Sequence, residues 1–187
     1  REPKSRKKKL KIIRIGTSGS LQENVPLGSH LISDYAVGLD NLMNFYDLEM
    51  SAFEQAIAKD IQKKTSISFS PYLVRCSALL KSQFGPDMII GNTITAPGFY
   101  APQGREIRIP LKYPKLLEEL SRYYHKASNL RLTNFEMETA GYYAMARLLG
   151  HEALSVNAII ANRELNKFSK DPNKVVDSLI KKVLDRI

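Results

Sequence analysis

Ala153-Leu154-Ser155-Val156-Asn157-Ala158-Ile159-Ile160-Ala161 is nearly all apolar and too short for a buried helix. Such a run reads as a strand covered on both faces, the kind that mixed and parallel sheets bury between helices. Upstream, Ala140, Ala144, Met145, Leu148 and Leu149 recur at helical spacing until Gly150 stops them. Downstream, Asp171 reads as a helix cap and Pro172 as its first residue. Val175, Val176, Leu179, Ile180, Val183, Leu184 and Ile187 then form an apolar stripe. A doubly covered strand between two helices predicts an α/β fold: three layers, with a mixed central β-sheet flanked by helices on both faces.

Elsewhere the pattern repeats. Lys11 to Ile15 reads as a strand that meets a small-residue loop at Gly16, Gly19 and Ser20. His30 to Val37 is strand-like. Ser51 with Glu54 forms a capping box ahead of a helix from Ala52 to Lys64, with Phe53, Ala56, Ile57 and Ile61 at helical spacing. Met88 to Thr95, bounded by Gly85-Pro86 and Pro97-Gly98, reads as a buried strand, and a loop follows from Gly98 to Gly104. Leu116, Leu117, Leu120 and Tyr124 mark a helix after Pro114, and Leu132 to Glu136 a further strand. No repeat or low-complexity linker divides the chain, so residues 11–187 read as one domain behind a basic, exposed segment at 1–10.

Composition narrows the function classes. Net charge is +9, and Arg1, Lys4, Arg6, Lys7, Lys8, Lys9 and Lys11 against Glu2 already account for +6. A charge block confined to one end reads as a solvated segment. No recognition helix, aromatic RNA motif or zinc spacing supports nucleic-acid binding. No apolar run approaches the roughly 18 residues that a membrane span requires. Cys76 is the single cysteine, which excludes an internal disulfide and fits a cytoplasmic setting. His30, His125 and His151 are scattered, and no Cys/His cluster offers a metal site.

Three stretches carry polar groups where an α/β fold places its ligands, beyond strand ends. In Arg14-Ile15-Gly16-Thr17-Ser18-Gly19-Ser20, glycines let backbone N–H groups converge while Arg14 and the hydroxyls add donors, a nest that suits phosphate. An ordinary tight turn accounts for it equally well. Thr95 to Arg105 presents Phe99, Gln103 and Arg105; an amide donates and accepts together, as one edge of a pyrimidine ring demands, and a guanidinium meets charge on a departing base. The alternative is a surface loop with Phe99 tucked into the core. Phe135-Glu136-Met137-Glu138-Thr139-Ala140 sets two carboxylates before a helix, either to accept hydrogen bonds from vicinal sugar hydroxyls or to favour the helix start electrostatically.

In this order, RIGTSGS, GFYAPQGR, NFEMETAGYYAMARLLG and NAIIANR, the sequence resembles the uridine phosphorylase branch of the nucleoside phosphorylase family from about Lys11 to Ile187. The resemblance implies phosphorolysis of uridine or related pyrimidine nucleosides to uracil and ribose 1-phosphate. Arg14, Gly16 and Thr17 would hold phosphate; Phe99, Gln103, Arg105, Ile160, Ala161 and Arg163 would line the base site; Glu136, Met137 and Glu138 would hold ribose. Arg105, Gln103 and Glu138 would act in the chemical step. Phosphate is a co-substrate, and neither metal nor organic cofactor is implied. Purine-cleaving relatives typically carry a Ser-Asp pair where Asn162 stands, which favours a pyrimidine; a purine phosphorylase, a nucleosidase or a degenerate member is the alternative. Family members also carry a stretch ahead of the RIGT strand that completes the phosphate site. The expectation is therefore a C-terminal part of the domain, partnered by its own N-terminal segment and by further copies as a dimer or hexamer.

Overall fold

The computed structural model describes residues 8–187. Most of the expected basic segment lies outside the described residues, while Lys8, Lys9 and Leu10 within it are exposed. The strands are β1 (Lys11–Ser20), β2 (His30–Gly38), β3 (Tyr72–Arg75), β4 (Ile89–Thr95), β5 (Tyr124–His125), β6 (Leu130–Arg131), β7 (Asn134–Glu136), β8 (Glu152–Asn162) and β9 (Lys167–Phe168). The helices are α1 (Ala52–Thr65), α2 (Ala78–Phe84), α3 (Leu116–Arg122), α4 (Thr139–Leu148) and α5 (Pro172–Leu184).

Seven strands form one mixed sheet in the order β3-β2-β4-β7-β1-β8-β9, and β5 and β6 pair separately. β1 runs parallel to β8 and antiparallel to β7, while β4 is parallel to both β2 and β7. β8 is long enough to pair along all of β1 and also with His30–Ile32 of β2, so β2, β4, β7, β1 and β8 close on one another. A flat central layer is therefore too simple a picture. The helices still divide. Leu80 and Phe84 of α2, Tyr143 and Ala144 of α4, and Leu179 and Val183 of α5 share one apolar cluster. Ile57 and Ile61 of α1 and Leu116 and Leu120 of α3 share another with Val37, Ile94 and Phe135.

Local chemistry explains the boundaries. The Ser51–Glu54 capping box is complete, and Ile57 and Ile61 are fully buried, each contributing roughly 1.5–3 kcal/mol. Gly150 ends α4 with φ +70°, a conformation that glycine adopts without strain. Asp171 accepts from the Lys174 N–H, as expected of the α5 cap. The α5 stripe is narrower than its sequence pattern: Leu179 and Val183 are buried, but Leu184 and Ile187 are exposed. β3 and α2, short and weakly periodic, have no counterpart in the sequence reading.

The larger correction concerns RIGTSGS. No turn follows Ile15; β1 continues to Ser20, and Gly16, Thr17 and Ser18 pair with Asn157, Ala158 and Ile159 of β8. Backbone groups engaged in a parallel ladder do not form an anion nest. Gly16 has a different use. A Cβ there would lie 2.3 Å from Nη1 of Arg14, so the missing side chain makes room for that guanidinium to fold back along its own strand.

Candidate active site

Arg14 is the centre of a charged cluster. Its Nη1 donates to Ser155 Oγ and Asn157 Oδ1, both at 3.2 Å, and its Nη2 faces Glu138 Oε2 at 2.5 Å and Glu136 Oε2 at 3.2 Å. The Arg14 side chain is only 17% exposed, against 46% for Glu138. The two carboxylates have different occupations. Glu136 is buried and accepts from Thr95 Oγ1 at 2.5 Å, from the Glu138 N–H at 2.9 Å and from the Thr139 N–H, so it caps α4 and braces Arg14. With these donors on both oxygens, Glu136 is no free acceptor for sugar hydroxyls, and its expected ribose role gives way to this structural one. Among the described residues the Glu138 carboxylate has Arg14 as its one partner, and it stays open to solvent, as does Met137 between them.

A second cluster forms around Gln103. Its Oε1 accepts from Arg105 Nη1 at 2.8 Å and from Arg163 Nη2 at 2.6 Å, and Arg163 Nη1 donates to the Gln103 carbonyl at 2.7 Å. Arg105 also donates to the Phe99 carbonyl and sits over the Phe99 ring, 3.8 Å from its centroid. Phe99 is 55% exposed, which removes the reading that tucks it into the core. Gln103, by contrast, is buried, and with Oε1 doubly engaged its Nε2 is the edge left to donate. Burial, reinforced by the neighbouring Arg105 charge, brings Arg163 down to about 10; burial alone lowers Arg105. Two partly desolvated cations flanking one amide make a region that favours developing negative charge.

The Arg14 cluster is built on β1, β7 and β8, and the Gln103 cluster on the loop after β4 and on Arg163, the residue that follows β8. Arg163 stacks over the ring of Phe135, the residue before Glu136, at 5.3 Å. A Cβ on Gly19 would lie 3.6 Å from both Ala161 Cβ and Arg163 Nε, which leaves the β1–β8 surface open at that point. Among the described residues no hydrogen bond joins one cluster to the other. A cavity of about 610 Å³ opens beside Gly104 and Arg163, and neither Arg14 nor Glu138 lines it.

Not every expected residue joins. Thr17 is exposed on β1 and has no hydrogen bond to Arg14 among the described residues. Ile160 packs against the cluster shared by α2, α4 and α5, so of the Ile160-Ala161 pair only Ala161 turns toward Gly19 and Arg163. Arg163 grips Gln103 instead of projecting freely toward a base. Asn162 is buried, donating to the Gln22 and Val25 carbonyls and accepting from the Leu165 N–H, and so fastens two loops. Ser155 and Asn157, which the sequence reading leaves within an apolar run, hold Arg14; the available signal was two amide or hydroxyl side chains at alternate positions of that strand.

The chain belongs to the phosphorylase superfamily, whose family model matches residues 8–185. Its relatives there are uridine phosphorylases. It is 28% identical to the uridine phosphorylase of Thermococcus kodakarensis over 162 residues, covering 87% of this chain and 52% of that protein. It is also 28% identical to uridine phosphorylase 1 of Mus musculus, covering 94% and 56% respectively. The chain thus spans about half the length of these relatives. Among solved structures, a Trypanosoma brucei nucleoside phosphorylase described as showing uridine phosphorylase activity superposes with TM-score 0.83 at 28% identity, over 94% of this chain and 62% of that one.

Proposed function

We propose that this chain carries the base- and ribose-binding part of a uridine phosphorylase, together with one phosphate-holding arginine. The observation that carries the reading is a pair of clusters in one sheet framework: Arg14 paired with an exposed Glu138, and the Gln103 amide held by two guanidinium groups. Phosphate meets Arg14, and Glu138 with Met137 takes the ribose hydroxyls. The Gln103 amide and Arg105 meet the pyrimidine edge, and Phe99 lies against the base. Phosphate attacks the anomeric carbon as the glycosidic bond breaks, and the bonding electrons leave with uracil, where Gln103 and Arg105 stabilise them. Ribose 1-phosphate is the second product.

The reading requires no metal or organic cofactor, and among the described residues no group of three or more His, Cys, Asp or Glu is arranged to hold a metal. Cys76 is buried, and burial pushes its thiol up to about 12, so it takes no part in the chemistry. No helix of the described residues is long and apolar enough to cross a membrane. Assembly into a dimer or hexamer, with pockets completed by other segments or copies, belongs to the same reading.

The test is uracil release from uridine by the purified protein with and without inorganic phosphate. Phosphate-dependent release with ribose 1-phosphate as co-product is the expected result. Release independent of phosphate, or of adenine from adenosine instead, would replace the reading with a nucleosidase or a purine enzyme.

A further inference from the structure

The interior of the closed strand set is polar where a small barrel would ordinarily be filled by aliphatic side chains. Asn157 of β8 donates from Nδ2 to Ser33 Oγ of β2 at 3.1 Å, and Ser33 Oγ lies 2.5 Å from Thr93 Oγ1 of β4. Thr93 donates to Asn134 Oδ1 of β7 at 3.0 Å, and Asn134 Nδ2 donates to Ser18 Oγ of β1 at 3.0 Å. Each of the five closing strands contributes one member. Ser33, Thr93, Asn134 and Asn157 are wholly buried and Ser18 is 5% exposed. No buried side-chain nitrogen or oxygen among the described residues lacks a partner, so the row is fully satisfied.

Its direction is dictated from one end. A guanidinium can only donate, so the Asn157 atom facing Arg14 must be the carbonyl oxygen, 3.2 Å away. That orientation turns the Asn157 amino group toward Ser33. Because Thr93 gives its proton to Asn134, the Ser33 hydroxyl must in turn donate to Thr93. Each bond thus polarises the next. Nη1 of Arg14 spends both its protons on Ser155 and Asn157, which sets the guanidinium plane and presents Nη2, now facing Glu138 and Glu136, as the donor that a ligand would share or take over. Recognition of an oxyanion by arginine depends on that plane.

We propose that Asn157, backed by the buried row Ser33, Thr93, Asn134 and Ser18, is the positioning residue that aims the Arg14 guanidinium at inorganic phosphate. The inference rests on the phosphate role assigned to Arg14 above. Asn157 touches no reacting atom; it acts through Arg14 alone.

The experiment measures equilibrium binding of inorganic phosphate and, separately, of uridine to the full chain by titration calorimetry, with melting temperature as the folding control. Asn157→Leu, close in volume and unable to accept, should weaken phosphate binding about tenfold or more, the range for a lost hydrogen bond to a charged group, and leave uridine binding within about twofold. Ser33→Ala, which removes the support behind Asn157 without touching Arg14, should weaken phosphate selectively but by less. Asn157→Asp preserves shape and places a competing carboxylate beside Arg14; it should weaken phosphate at least as much as the leucine, and it serves as the deciding variant should the leucine fail to fold. Unchanged phosphate affinity in a folded Asn157 variant, or equal loss of both ligands, overturns the inference, while Arg14→Ala still reports on the phosphate site by itself. A wild-type protein that binds no phosphate overturns the phosphorolysis reading and this inference together.

Discussion

The Arg14 cluster and the Gln103 cluster both combine arginine with groups suited to a nucleoside, but they are built differently. The first grows from the interiors of β1 and β8, the end of β7 and the start of a helix. Its arginine is braced by four side chains from β7, α4 and β8, and its buried carboxylate caps α4 with two backbone N–H bonds. The second hangs on the loop after β4, shaped only by the short turn Ala101–Gln103 and gripped from outside by Arg163. On the proposed reading the first is a seat for an anion and the second a platform for a base, since phosphorolysis needs the attacking oxyanion aimed and the departing base stabilised as it leaves.

The sharpest way to break this contrast is at the loop. Arg105 should act in the transition state, so Arg105→Ala should lower turnover of uridine about 10²–10³-fold with a much smaller change in phosphate KM. If only uridine KM rises, Arg105 is a uniform binding contact and the loop has no part in leaving-group stabilisation.

Rigidity of the first cluster has its own test at the far end of α4. Arg147 in the last turn of α4 grips Glu54 through two bonds of 2.9 and 2.7 Å, and Glu54 also accepts from the Ser51 and Arg75 N–H groups. Burial alone would raise Glu54, yet hydrogen bonds from Arg147 and Ser51 outweigh it and hold the carboxyl below its usual range. Its stabilisation is therefore complete above the ordinary carboxylate pKa of about 4.3 and is lost as pH falls through the lower folded value. Glu54→Ala should cost about 3 kcal/mol in denaturant unfolding at neutral pH, and less difference from wild type should remain near pH 3. An equal deficit at both pH values would mean that the ion pair is not the source of the loss.

Gly16→Ala isolates geometry from stability. The added Cβ meets the tip of a flexible side chain, so the strand should tolerate it and gain slightly from lower chain entropy. Arg14 must swing away, and phosphate binding should weaken about tenfold, comparable to a lost charged hydrogen bond. Wild-type affinity in this variant would show that the seat is less rigid than its contacts imply.

The same contrast explains what the sequence made legible. Helices with caps and periodic faces, such as α1 between its capping box and Ser66, are written locally and were readable to within a residue or two. The charged residues of both clusters and Gln103 were also named, because arginine, glutamine and paired glutamates stand out against their neighbours. What could not be read was partnership across strands. RIGTSGS has the composition of a turn, and only the eleven-residue β8 beside it turns it into a strand. Glu136 and Glu138 look alike two positions apart, and only Thr95 and Arg14, distant in sequence, together with the nearby Thr139 N–H, assign one to the fold and leave the other exposed. Asn157 and Ser155 look like blemishes in an apolar run until β1 is laid against them.

That exposed glutamate yields the smallest effect and the most discriminating one. Glu138 occupies the Nη2 face of Arg14 at 2.5 Å, the face that phosphate would use on the proposed reading. Anion and carboxylate compete for the same donor, so phosphate binding displaces Glu138, and the displaced carboxylate becomes an acceptor for ribose hydroxyls. Phosphate should therefore help the nucleoside bind, and by linkage the nucleoside should help phosphate equally. Glu138→Gln removes the charge but keeps the shape. Because the pair is half open to water, its loss should tighten phosphate binding only about two- to fivefold, measured by calorimetry without nucleoside, while uridine affinity drops and its dependence on phosphate disappears. Weaker phosphate binding in this variant would instead make Glu138 a supporting neighbour of Arg14, and the coupling between the two ends of the site would have to run through the backbone of β7 and not through this side chain.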